Sequence, residues 1–115
     1  MATYIDTSQC ERLSLPDAQG EVAEIMNQSL CGAKNGVGML RWLGKGDRFH
    51  ARAPDDTHQL IYLMQGAGVI NLEDKDYEVA QGAGIYLGPG ETADVRPAGS
   101  TTLKLFHLVV PESQD

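Results

Sequence analysis

His50, His58 and His107 are the only histidines in this 115-residue chain. An imidazole titrates near neutral pH and ligates transition metals, so each is a candidate acid, base or metal ligand. Between the first two lies Arg52, whose guanidinium in a pocket would hold a carboxylate or phosphate by a bidentate pair. Gln59 follows His58 directly, and the two offer further hydrogen bonds to a ligand. In the run Thr101–Val110, Leu103, Leu105, His107 and Val109 share one face, and Lys104 shares the other with Phe106. The lysine face is expected outside, so His107 is expected to point inwards. Tyr62 and Tyr86 read as packing residues, although a tyrosine hydroxyl beside His107 would serve as a proton donor. The sequence therefore nominates His107, His50 and Tyr62 for proton transfer, and Arg52, Gln59 and His58 for ligand binding. Structural readings stand beside these: His50 as a polar strand-edge residue, His58 as a surface residue after Asp55-Asp56-Thr57, His107 as a hydrogen-bonded core residue, and Arg52 as an exposed loop cation.

These residues must be positioned by short strands. Glycine punctuates the chain at Asn35-Gly36, Gly44-Lys45-Gly46-Asp47, Gly66-Ala67-Gly68, Gly82-Ala83-Gly84 and Gly88-Pro89-Gly90. Strand-like runs separate them: 38–43, 58–65, 67–71, 76–80, 85–87, 93–96 and 101–110, with Glu73-Asp74-Lys75 as a hairpin tip. Many short strands in close succession predict an all-β sandwich or barrel. Near the N-terminus Val22, Ile25, Met26 and Leu30 recur close to a helical period after Pro16-Asp17, and a short extra strand competes with a helix there. The run 58–65 is apolar on both faces, with Ile61 and Leu63 on one side and Leu60, Tyr62 and Met64 on the other. Its second face needs cover, from the N-terminal segment or from a second copy of the chain, so a homodimer is expected.

One domain is expected at this length, spanning residues 1–115, with a core at about 37–111 and an N-terminal extension over 1–36. The net charge of −7 repels phosphate backbones and anionic lipid, so neither nucleic acid nor membrane is an expected partner. No long apolar run and no leader-like opening are present, so the expected location is the cytoplasm. Cys10 and Cys31 lack the spacing of a metal or redox motif and read as free thiols.

The glycine spacing resembles that of the cupin superfamily. The family's first motif is glycine, five residues, His-x-His, three or four residues, Glu, six residues, glycine. Here Gly46 is followed by five residues, Arg52-x-Pro54, four residues, Gln59, six residues and Gly66. The second motif, glycine, five residues, Pro-x-Gly, two residues, His, is matched by Gly82, five residues, Gly88-Pro89-Gly90, two residues and Ala93. The resemblance implies a cupin-type double-stranded β-helix, a jelly-roll barrel around a pocket, in which Arg52, Pro54, Gln59 and Ala93 occupy the metal-ligand positions. Arginine, proline and alanine do not ligate a divalent ion, and glutamine is a feeble ligand. On this register no metal cofactor is expected.

A second register starts at Gly44 and makes His50 the first ligand. His50, His58 and His107, helped by Asp55 or Asp56, would then hold a divalent transition metal at one barrel mouth. Metal-free cupins similar in pattern include sugar-nucleotide epimerases and isomerases. The leading expectation is accordingly an isomerase, epimerase or cyclase acting on a small polar or anionic metabolite, with His107 or His50 as base and Arg52 as oxyanion partner. The alternatives are a metal-dependent dioxygenase or lyase using the rearranged histidines, and a non-catalytic binding module. A looser likeness, through Gly38-Met39-Leu40-Arg41-Trp42, is to the metal-free cupin of ethanolamine utilisation.

Overall fold

A computed structural model describes residues 6–26, 36–54, 56–99 and 101–111. Leu30, Cys31, Asp55 and the expected tail at 112–115 lie outside them. Among the described residues, ten strands follow a short 3-10 turn at Thr7–Gln9: β1 (Leu13–Ser14), β2 (Glu21–Met26), β3 (Val37–Leu43), β4 (Phe49–Arg52), β5 (Thr57–Gln65), β6 (Ala67–Leu72), β7 (Lys75–Ala80), β8 (Gly84–Leu87), β9 (Thr92–Pro97) and β10 (Leu103–Pro111). They form a six-stranded sheet, β1-β2-β3-β10-β5-β8, and a four-stranded sheet, β4-β9-β6-β7. All pairings are antiparallel. The two sheets close as the jelly roll that the spacing implied.

The glycines explain why the spacing persists without its ligands. Gly46, Gly66, Gly82 and Gly90 all adopt positive φ, a conformation that side chains disfavour. At Gly66 a Cβ would also lie 2.5 Å from the Thr102 carbonyl oxygen, so no other residue fits that corner. The hairpin expected at Glu73-Asp74-Lys75 is present. Glu73 and Asp74 take positive φ between β6 and β7, as a two-residue hairpin turn requires.

Between the sheets lies an apolar core that includes Leu43, Ile61, Leu63, Val95, Leu103 and Leu105. The register of β10 carries this core along the barrel: Leu103 faces Leu43 of β3, and Leu105 faces Leu63 of β5. Two residues further, the inward position is His107, flanked by Met39 and Ile61, and the β5 position beyond Ile61 is Gln59. One end of the barrel is thus filled by leucines and the other turns polar.

One alternative left open is decided, and one reading of the elements needs correction. Residues 21–26 form β2 rather than a helix, hydrogen-bonded along β3 between Glu21↔Trp42 and Met26↔Gly38. The 44–57 stretch also contains a strand, β4, in which Phe49 and Ala51 are buried and His50 and Arg52 exposed. On the outer face of the large sheet the N-terminal segment lies over β3, two strands away from β5: the Arg12 guanidinium lies 3.8 Å above the Trp42 ring. Further along that face Leu60, Tyr62 and Tyr86 stay 41, 42 and 61% exposed.

Candidate functional site

The polar end of the interior is built from strands of both sheets. β3 contributes Arg41, β5 Gln59, β10 His107, and β4 the ring of Phe49. Arg41 Nε donates to His107 Nδ1 at 3.0 Å. Guanidinium nitrogens only donate, so Nδ1 is the acceptor and the imidazole proton sits on Nε2. Nε2 then donates to Gln59 Oε1 at 2.7 Å, and Gln59 Nε2 donates to the Arg52 carbonyl at 2.8 Å. The string has one consistent direction, Arg41 to His107 to Gln59 to backbone, and it uses both ring nitrogens.

Charge is confined to one member. Burial, and then the charge of Arg41, push His107 from its ordinary 6.5 down to about 4, so the ring is neutral at physiological pH. Protonation would also set an Nδ1–H against the Arg41 Nε–H. Burial draws Arg41 down to about 10, which leaves it cationic at neutral pH; among the described residues no carboxylate counters that shift. The guanidinium lies 4.0 Å over the Phe49 ring, and Phe49 meets His107 edge-on at 5.3 Å between centroids. Of its outer nitrogens, Nη2 reaches, among the described residues, only the Met39 thioether at 3.5 Å, a weak acceptor, and Nη1 is buried without a hydrogen-bond partner.

The nominated residues divide around this string. His107 and Gln59 are buried inside the barrel and touch one another. Arg52 contributes its carbonyl, but its side chain is exposed, so the expected pocket guanidinium is not Arg52. The inward positions of that stretch are Ala51 and Ala53, one residue earlier than the spacing predicts. His50 projects outwards and pairs with Asp94 at 2.9 Å, where a base cannot serve the interior. His58 faces out from the other sheet, stacked on Tyr86 and hydrogen-bonded to its hydroxyl. Tyr62 is exposed beside Phe106, on the face opposite His107. The three histidines therefore do not converge, and among the described residues no three His, Cys, Asp or Glu side chains form a metal-binding group. The donor set required by the rearranged-metal alternative does not assemble.

Arg41 was missed as a site residue. Its signal lay in strand phase: Arg41 shares a face with Leu43, an apolar core position, so a charge there had to enter the interior.

A family model for the AraC-like ligand binding domain matches residues 39–114. The chain belongs to the AraC-like ligand-binding domain family. This AraC-like domain carries the cupin fold read from its glycines. No curated protein is significantly similar to it in sequence. Among solved structures, a predicted oxalate decarboxylase from Thermotoga maritima superposes with a TM-score of 0.78 at 20% identity, covering 95% of this chain and 99% of that one. The polyketide cyclase RemF from Streptomyces resistomycificus gives 0.78 at 17%, covering 98% and 81%. KdgF from Halomonas sp. gives 0.78 at 11%, covering 100% and 98%. At these identities the likeness is one of fold, and fold does not select a reaction.

A concavity lies elsewhere on the AraC-like domain. Leu72, Glu73, Tyr77, Tyr86, Glu91 and Thr92 line part of an open cleft of about 450 Å³. It holds carboxylates and tyrosine rings with no cationic side chain among its lining residues, so it does not suit an anion. Among the described residues no helix is long and apolar enough to cross a membrane.

Proposed function

We propose that the polar end of the barrel interior binds a small polar metabolite and that the domain acts as a binding module. The observation that carries this is the Arg41–His107–Gln59 string, an ordered polar set inside an otherwise apolar core. Burying such groups costs free energy, and binding is a reason for a fold to retain them. Membership in a ligand-binding family supports the same reading.

The isomerase, epimerase or cyclase expected from the sequence is the second reading. Two structural neighbours, the polyketide cyclase RemF and a putative sugar phosphate isomerase from Acidithiobacillus ferrooxidans, favour it. Its base would be His107, the only one of the three histidines inside the barrel. A ring held near a pKa of 4, with both nitrogens engaged, is a poor base at neutral pH. Binding therefore ranks first.

The test is thermal stability and turnover over a panel of sugars, keto acids and phosphorylated metabolites. Stabilisation without turnover is the expected result. Turnover lost in His107→Gln would install the enzyme reading instead. A panel that leaves the melting temperature unmoved would remove both.

A further inference from the structure

The guanidinium of Arg41 divides into two edges with different partners. Its Nε edge is committed to His107 Nδ1. Among the described residues its outer fork has one partner, the Met39 thioether at Nη2, and Nη1 has none. Two parallel N–H groups with no oxygen acceptor match the two oxygens of a carboxylate. Phe49, packed on the guanidinium face, fixes the plane in which that carboxylate must lie. The chain carries 16 acidic residues against 9 basic ones, yet among the described residues burial is the cause of the Arg41 shift and no carboxylate opposes it. A half-buried cation with no carboxylate partner among the described residues, in so acidic a chain, points to a counter-ion that arrives from outside.

We infer that the interior ligand is an organic monocarboxylate, held by the Nη1/Nη2 fork of Arg41, with His107 and Gln59 as positioning residues behind it. The inference rests on the interior-binding reading above and names the ligand class for it. A single guanidinium beside a neutral imidazole supplies one positive charge, which balances one carboxylate and not a phosphate dianion. Met39 is the side chain that gives way, since its flexible thioether occupies the place of one carboxylate oxygen. The Tyr77–Tyr86 cleft, with Glu73 and Glu91, repels the same ligand.

The test is a binding titration of the wild-type chain and of Arg41→Met and Arg41→Lys with acetate, acetamide, benzoate, benzamide and inorganic phosphate, read by backbone amide NMR. Each acid is expected to bind at least tenfold more tightly than its amide, because an amide –NH2 would face the guanidinium donors. Phosphate is expected to bind more weakly than benzoate. Arg41→Met is expected to lose the preference for acids, and Arg41→Lys to keep part of it, while both retain the dispersed spectrum of a folded barrel. Amides binding inside the barrel as tightly as acids, or phosphate outcompeting both acids, would overturn the inference and leave interior binding standing. No response to any acid or amide would overturn the binding reading with it.

Discussion

Holding His107 neutral makes stability depend on pH in a window that the structure specifies. The folded-state pKa is about 4 against 6.5 for a free imidazole, so between these values the unfolded chain binds a proton that the folded chain refuses. The contribution is complete above pH 6.5 and is lost as pH falls towards 4. Integrating the linkage relation from pH 8, the loss is about 2 kcal/mol at pH 5 and about 3 kcal/mol at pH 4. That is a large share of the stability of a domain this size. Carboxylates also titrate near the bottom of the window, so the reference is His107→Gln, which deletes the imidazole and keeps an amide that hydrogen-bonds. Urea unfolding at half-unit pH steps, followed by the fluorescence of Trp42, the single tryptophan, measures both proteins. Wild type is expected to lose stability more steeply than the variant between pH 6 and 4.5, by about 1 kcal/mol per pH unit. Parallel curves would refute the reasoning, as would an NMR titration midpoint for His107 near 6.5.

Further consequences concern neighbouring residues. Arg41→Met removes a half-buried, incompletely paired cation but orphans the Nδ1 acceptor of His107, so the net change in urea unfolding is expected to stay within about 1 kcal/mol; a loss above about 3 kcal/mol would show that the guanidinium is fully satisfied in solution. Gln59→Glu sets a carboxylate at His107 Nε2, and the imidazole pKa by NMR is expected to rise well above 4. Gly66→Ala meets both a positive φ and the Thr102 carbonyl, and is expected to cost more than about 1 kcal/mol in thermal unfolding. The adjacent outer-face residues Leu60, Tyr62 and Tyr86 are expected to pack against the same face of a second copy; Leu60→Glu should then convert a dimer to a monomer by light scattering, and a wild-type mass of 12.4 kDa would remove the expectation.

The barrel was legible because glycine spacing records backbone geometry. Gly46, Gly66, Gly82 and Gly90 keep positive φ whatever side chains line the interior. His107 was legible through alternation, since it shares a strand face with buried aliphatic residues, and Gln59 through its place in the glycine-spaced motif. Arg52 misled because motif spacing counts residues and not faces: in β4 the interior side chains are Phe49 and Ala51, and the next inward residue is Ala53. The strand β2 was ambiguous because both of its faces are partly covered, so Val22, Ile25 and Met26 show no clean period of two. Arg41 has no motif to mark it. Its importance arises from a hydrogen bond to a residue 66 positions away, a contact that only closure of the sheet creates.

The central claim is that Arg41 holds a carboxylate inside the barrel, and the location of bound benzoate tests it most directly. In a benzoate titration of the wild-type protein, the account predicts amide shifts centred on residues 39–41, 49, 59 and 105–107, all absent in Arg41→Met. Shifts centred instead on the cleft around Tyr77 and Tyr86, or unchanged by Arg41→Met, would contradict it.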